Sequence, residues 1–385
     1  MRIGIEARRL FSHRKTASDQ LTVDLIHGLM DIDRSNEYYI FTAPGSYVNC
    51  MRKAPNFHLV ILEAFSPLHW EQVILPRAVE RYALDLVHCT TATGMAKTQA
   101  KTLLQINDGQ LLNPVIPSKS IVRRLWHSYR RRLFRKMAHR SWGLVASCHD
   151  DQRLLERLSR PLVAKARVIH PGINNRYLYD PSYKRPAQVP QEYLLHMGSV
   201  QPKSNMRNVL KGYELYTKMS TRRVLPLVLT GIGQAQLETM LKEMGLGRLR
   251  EHIYLIGKIR KHELPGLYYN ASLVLCPYLR DDAGSQVLEA MACGTIVLTS
   301  DNASLKELVG AAAYLVNPFS PEEISHGMFK VLHDPEARNR MLVKSGERVR
   351  HYMWTQVARR YQNIYMEIVA DSIDLPFTSE DLIPS

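Results

Sequence analysis

No apolar run in this sequence approaches the roughly 20 residues that a helix needs to cross a bilayer, which argues against an integral membrane protein. The opening residues, MRIGIEARRL, lack the apolar stretch and the small-residue cleavage site of a secretory signal, and read instead as a buried first strand. Cysteine is scarce: Cys50, Cys89, Cys148, Cys276 and Cys293 are five in 385 residues and lie far apart. That spacing offers neither a disulfide framework nor a zinc site and suits a reducing compartment, so a cytoplasmic location is expected. The 15 histidines show no HxxxH or HExxH spacing, and no metal site is expected. Acidic residues are few, 36 against 51 Lys and Arg, giving a net charge of +15. Such an excess points to an anionic partner (nucleic acid, a membrane surface or a phosphorylated ligand), weighed against a merely solvated basic surface.

What is present is an ordinary globular composition, 45% apolar and 23% charged, in a chain too long for one common α/β core. Short apolar segments bounded by turn residues alternate with helix-period stretches, which predicts parallel sheets with right-handed crossovers. Strands are expected at 2–5, 38–41, 58–62, 84–88, 102–106, 143–146 and 166–169. After a stretch carrying Pro181, Pro186 and Pro190 they begin afresh, at 193–197, 225–230, 253–255, 273–276, 296–299 and 313–316. Proline denies helix and sheet a donor, so 177–191 reads as a linker. It would separate a first doubly wound domain, 1–176, from a second, 192–353, with a last helix and tail over 354–385. Ligands of such sheets bind beyond the carboxyl ends of the strands, so the informative residues should sit in the loops there.

The run LPGLYYNASLVLCPYLRDDAGSQVLEAMACGTIVLTS, 264–300, has a loop that opens a helix. A helix N-terminus offers free N–H groups and a favourable dipole to a diphosphate. This run resembles the donor-binding core of the family 4 retaining glycosyltransferases. HPGIN, HMGSVQPKSNMRNVLKGYELY, LVLTGIGQ, PEEISHGMFKVLHDPEARNRM and YMWTQVARRYQNIYMEI extend the resemblance, in the right order, over nearly the whole chain. It implies the α/β architecture called GT-B: two Rossmann-like domains facing across a cleft, with the C-terminal helix crossing back to the N-terminal domain.

The resemblance also implies a function: transfer of a sugar, with retention, from a nucleotide diphosphate sugar to a glycan or lipid-linked acceptor in surface polysaccharide synthesis. By the same resemblance Glu289 binds the ribose and Asp281 orients the donor sugar. Lys203, Asn205, Gly198 and Gly284, with the chain at Ser285, Gln286 and Val287, hold the diphosphate, and Asn107 and Asp108 face the acceptor. The nucleotide-sugar is a substrate, and no cofactor or metal is implied.

Several positions depart from the family pattern. The loop after the first strand, Lys15 to Gln20, has no glycine. A histidine is replaced by Asn107, which cannot titrate near neutral pH. Two of three expected cations near the diphosphate are Ser199 and Ser204, leaving Lys203, and Asp282 follows Asp281 where glycine is usual. Losing a single donor to a developing charge can cost about 2.7–4 kcal/mol of transition-state stabilisation. Two readings follow: an active transferase drawing cations from elsewhere, such as Arg8, Arg9, Arg207 or Arg280, or a catalytically degenerate homologue kept as a binding or scaffold partner.

The segment 119–140, KSIVRRLWHSYRRRLFRKMAHR, has no acid. Its apolar residues Val122, Leu125, Trp126, Tyr129, Leu133 and Met137 recur at helical spacing, with Arg123, Arg124, Arg130, Arg131 and Arg132 among them. A basic amphipathic helix with aromatics reads as a membrane-surface element on the inner face of the cytoplasmic membrane. The alternative is that Trp126, Leu133 and Met137 pack on the sheet. Nucleic acid is disfavoured because no recognisable module accompanies the segment. His88, after a strand, is either a cleft residue or a structural one.

Overall fold

The computed structural model describes the chain except residues 14, 91–93, 96–97, 107–120, 200, 221–223, 258, 280–283 and 371–385; the side chains of 17 and 121–123 are likewise outside the description. The chain forms two compact units. The first comprises Met1–Gly172 with the described residues from Trp354 on, and the second Ile173–Met353.

The first unit is built on a seven-stranded sheet of order β3-β2-β1-β4-β5-β6-β7. Its strands are β1 Arg2–Glu6, β2 Glu37–Thr42, β3 Phe57–Ile61, β4 Leu86–Cys89, β5 Lys101–Ile106, β6 Gly143–Ala146 and β7 Ala166–Val168. The second carries a six-stranded sheet of order β10-β9-β8-β11-β12-β13, from β8 Leu194–Met197, β9 Leu227–Thr230, β10 Ile253–Leu255, β11 Leu273–Cys276, β12 Val297–Ser300 and β13 Tyr314–Val316. Every described pairing between these strands is parallel. The inner strands β4, β6, β9, β11 and β12 are buried at every residue, because helices cover both faces of a parallel sheet. That burial makes them legible as short, mostly apolar runs. In both units the strand order reverses beside the first strand, between β1 and β4 and between β8 and β11. This is the switch point at which open sheets bind ligands.

The last helix, Trp354–Val369, belongs to the first unit. Trp354, Val357, Ala358, Tyr361, Ile364, Tyr365 and Ile368 are buried in the same core as Val23, Ile26 and Leu29 of the helix Ala17–Ile32. Gly28 lets the two helices touch: a Cβ there would come within 2.9 Å of the Trp354 carbonyl oxygen. A polar tie joins this contact. The Asp33 carboxylate accepts from Tyr38 Oη at 2.7 Å, Asn36 Nδ2 at 2.7 Å and Gln362 Nε2 of the last helix at 2.8 Å. Burial by itself would raise the Asp33 pKa, but the hydrogen bonds from Asn36 and Tyr38 outweigh it and bring it down to about 2.

The stretch 177–191, expected as a linker, is grouped with the second unit and packs there. Tyr177 and Val189 are buried, and Tyr183 donates from Oη to the Leu178 carbonyl at 2.8 Å. Its prolines exclude regular structure but leave it able to lie against Gly266, where a Cβ would sit 2.2 Å from the Lys184 carbonyl oxygen. Two helices were also unexpected, His149–Leu158 and Arg160–Ala164. The first is short, and charged residues crowd its opening turns.

Candidate functional site in the second unit

The site lies at the carboxyl ends of β8 and β11, which are hydrogen-bonded neighbours. Beyond β8 the chain passes Gly198 and Ser199, makes the short turn Pro202–Ser204, and enters the helix Met206–Met219 through Asn205 in the left-handed conformation, φ 57°. Beyond β11 it passes Tyr278 and Leu279 and enters the helix Ser285–Ala292 through Gly284, also left-handed, φ 58°. Only glycine serves at 284: a Cβ would fall 2.0 Å from Leu308 Cδ2, besides straining the backbone. A second close approach secures the β8 loop. A Cβ on Gly231, φ 74°, would meet the Gly198 carbonyl oxygen at 2.0 Å.

Hydrogen bonds fasten the two loops to each other. Leu279 N–H donates to the Lys203 carbonyl at 3.0 Å, and Tyr278 Oη donates to the Met197 carbonyl at 3.0 Å and also bonds Gln286 Oε1. Asn205 Nδ2 donates to the Pro277 carbonyl at 2.7 Å and the Pro318 carbonyl at 2.6 Å. Gly198, Lys203, Asn205, Gly284, Ser285, Gln286 and Glu289 are thereby gathered at one edge of one sheet. The Lys203 side chain is exposed, as is Ser285 at the opening turn of its helix.

Glu289 lies one turn into that helix, half-buried, and its carboxylate accepts from Tyr268 Oη at 2.9 Å. Burial and the nearby Glu289 charge raise the pKa of both Tyr268 and Tyr177. Their phenols therefore stay protonated beside a carboxylate, as donors that hold it in place. Tyr268 is a functional candidate to which the sequence pattern assigns no role. It sits inside the LPGLYYNA segment, but only the packing of that helix against the Ser285 helix shows where its hydroxyl points.

Several residues expected at the site change role on this geometry or fall beyond it. Asn205 is buried and its amide is committed to two carbonyls, so it positions the loops rather than facing a ligand. Val287 is fully buried, which leaves its backbone as the only part available to a ligand. Ser199 and Ser204, where cations were expected, bond each other through their hydroxyls at 2.8 Å. Arg207, a candidate replacement cation, is ion-paired with Glu243 on the surface. Asp281, like Arg280 and Asp282, lies outside the described residues.

His196 closes the site from below. It is fully buried, its Nδ1–H donates to the Leu275 carbonyl at 2.8 Å, and its Nε2 has no hydrogen-bond partner among the described residues. Burial lowers its pKa to about 4, so it is neutral near pH 7.

In the first unit, Asn107 and Asp108 lie outside the described residues. The glycine-free loop after β1 is a helix start. Thr16 caps the helix Ala17–Ile32, the Asp19 carboxylate returns to the Thr16 N–H at 2.7 Å, and Asp19 also pairs with Arg9 Nε at 3.0 Å. That capping box supplies the order that the sequence pattern was missing there. Arg9, another candidate cation, is accordingly engaged.

At the carboxyl end of β1, Glu6 is 2% exposed. It accepts from Arg8 N–H at 3.2 Å and from Thr90 Oγ1 at 3.3 Å. The signal for it in the sequence is a carboxylate that ends the otherwise apolar strand RIGIE. His88, which follows in β4, is structural: it is fully buried, with Nδ1 2.8 Å from Tyr365 Oη and its ring stacked on Tyr361. Burial pushes its pKa down to about 3.

Residues 183–347 match the family model of glycosyl transferases group 1. The chain is 29% identical over 175 residues to the O-antigen chain mannosyltransferase B of Escherichia coli, covering 46% of each chain. It is 28% identical over 154 residues to the serotype-specific mannosyltransferase WbdA of Escherichia coli, covering 40% of this chain and 19% of that one. The chain thus spans less than half the length of these curated relatives. Among solved structures, Anabaena Alr3699/HepE in complex with UDP and glucose superposes with a TM-score of 0.71 at 14% identity, covering 95% of this chain and 100% of that one. WaaG, a glycosyltransferase involved in lipopolysaccharide biosynthesis, superposes with a TM-score of 0.65 at 13% identity, covering 94% and 99%. The fold is therefore GT-B, and residues 183–347, within the second unit, are similar to the group 1 glycosyl transferases.

Proposed function

We propose that the protein is a retaining glycosyltransferase that moves a sugar from a nucleotide diphosphate donor to a glycan or lipid-linked acceptor in surface polysaccharide synthesis. The observation that carries this reading is the joined pair of loops after β8 and β11, with a glycine-started helix beside Lys203 and a carboxylate one turn into it. The N–H groups at Ser285 and Gln286, the helix dipole and Lys203 take the charge of the diphosphate, with no metal. Glu289, held by Tyr268, accepts from the ribose hydroxyls. Asp281 orients the sugar, and Asn107 and Asp108 serve the acceptor side. During transfer the bond from the anomeric carbon to the diphosphate oxygen breaks, the nucleoside diphosphate leaves with the electron pair, and an acceptor hydroxyl oxygen takes its place on the same face while its proton passes to the departing diphosphate. The relatives' names support mannose as the first sugar to test, and the UDP held by HepE supports a nucleotide donor.

The test is thermal unfolding with UDP, GDP, ADP and dTDP, for the native chain and for Glu289→Ala, followed by transfer assays with the matching nucleotide-sugars. A ligand at 100 times its Kd adds about 2.7 kcal/mol. Stabilisation by one nucleotide, lost in Glu289→Ala, is expected. Absence of stabilisation by any nucleotide at millimolar concentration would replace this reading with that of a degenerate, non-catalytic homologue.

A further inference from the structure

The helix Ile121–Arg140 in the first unit divides its residues in a way that the sequence alone left open. His127, Phe134, Met137 and Ala138 are buried against the unit, with Arg131 half-buried on the same side and its Nε inaccessible to solvent. Arg131, grouped with the surface cations on sequence grounds, therefore faces inward. Leu125 is 66% exposed, Trp126 50% and Tyr129 43%, and the two aromatic rings stack at 5.7 Å between centroids. Three adjacent large apolar side chains are thus displayed on the outside of one helix end. Helical spacing puts Arg132 and Lys136 on the side of Tyr129, at three and seven residues on, and both are exposed, as is Arg124. The described residues contain no helix long and apolar enough to cross a membrane.

We infer that this helix face is a docking surface for an anionic lipid bilayer. Trp126, Tyr129 and Leu125 enter the interfacial zone while Arg124, Arg132 and Lys136 lie among the headgroups. The chemistry selects a bilayer over a nucleic acid. Aromatic rings and arginines suit both, but an exposed leucine beside the indole gains only from an apolar phase. Trp and Tyr, with one apolar and one polar end, are the side chains suited to the headgroup level. The cations complement negative lipid, and a chain of net charge +15 is drawn toward such a surface before contact. This attachment is independent of the donor site, so it is measured without nucleotide.

The experiment is co-sedimentation of the full chain with vesicles of phosphatidylcholine with and without phosphatidylglycerol, at low and high salt. Binding to the anionic vesicles that weakens with salt is expected, with each of Lys136→Ala and Arg132→Ala lowering partition about fivefold, the equivalent of about 1 kcal/mol per surface cation. Trp126→Ser with Tyr129→Ser should abolish binding while leaving the melting temperature unchanged, since both side chains are exposed. Bromine-labelled lipid should quench a tryptophan emission that disappears in Trp126→Phe. No binding to anionic vesicles at low salt overturns the proposal, as does binding unaltered in the Trp126/Tyr129 variant. Tighter binding to single-stranded oligonucleotides than to vesicles, lost in the same variant, overturns it in favour of nucleic acid.

Discussion

In the second unit, the turns after β8 and β11 are tied together by the Leu279–Lys203 and Tyr278–Met197 bonds, and they present a glycine-started helix and an accessible carboxylate. In the first, the turn after β1 is occupied by the Thr16–Asp19 capping box, the carboxylate at the strand end is buried on Thr90, and the histidine of β4 is sealed beneath Tyr361 and Tyr365. The strand order reverses at the same place in both sheets. Among the described residues, the same topology thus carries an exposed lysine and a half-buried carboxylate beyond its strands in one unit, and a buried carboxylate and imidazole in the other. The comparison teaches that the fold supplies a position for a ligand, while the side chains at that position decide whether it is open.

Four experiments test this contrast. The largest effect is expected at Tyr365, which fills the core of the first unit and bonds His88. Tyr365→Ala should cost about 3–5 kcal/mol, the range for large aromatics cut to alanine, and strand the buried imidazole. Two-probe denaturant melts should show the first unit opening early while nucleotide still stabilises the second. If nucleotide stabilisation vanishes as well, the units are not separable in energy.

Acid should weaken both units through their histidines. The folded pKa values, about 3 for His88 and about 4 for His196, lie below the value near 6.5 of an unfolded chain. The unfolded state therefore gains protons first, and stability is lost as pH falls below about 6.5, at about 1–2 kcal/mol per pH unit for each histidine. Asp33 acts in a lower window. Its folded pKa of about 2 means that its contribution is lost only as pH falls below about 4. Denaturant midpoints at pH 7, 6 and 5 test this, and a flat profile would show that water reaches the imidazoles.

Gly284→Ala should destabilise the second unit by about 1–3 kcal/mol, the cost of a left-handed backbone in a residue with a Cβ, and remove nucleotide stabilisation with it. The first unit should melt as before. The smallest change is expected from Tyr268→Phe, which keeps the packing but frees the Glu289 carboxylate. Loss of one hydrogen bond to a charged group is worth about 1.5–3 kcal/mol when fully buried. With Glu289 only half-buried, nucleotide affinity should drop about tenfold or less, measured by calorimetry. Unaltered affinity would mean that Tyr268 holds a carboxylate that the nucleotide does not use.

The strands are legible because most are buried on both faces and so leave apolar runs, such as LVLC at 273–276 and GLVA at 143–146. Where exposure interrupts that pattern, as in edge strand β3 with Leu59 and Ile61 exposed, β-branched composition still marks the strand. The helix His149–Leu158 is hard to see in the sequence because its early residues, HDDQR, hide a face of only Asp151, Leu155 and Leu158. Glu289, Gly284 and Lys203 can be picked out because they fall at the motif positions of the family that the segments around 198–205 and 264–300 resemble.

Legible in the sequence were the two alternating α/β halves, the change of texture near residue 170, the basic amphipathic helix and the segment that resembles a donor-binding core. Those are properties of local pattern, set by periodicity and by the few residues that end or start an element. Only the tertiary structure decided that 177–191 packs as part of the second unit, that Asn205 and His88 are committed to the protein, that Tyr268 grips Glu289, and that Trp126 faces outward while Arg131 turns in. Each of those outcomes depends on which distant carbonyl, ring or core surface arrives beside the residue, and chain spacing carries no record of that arrival.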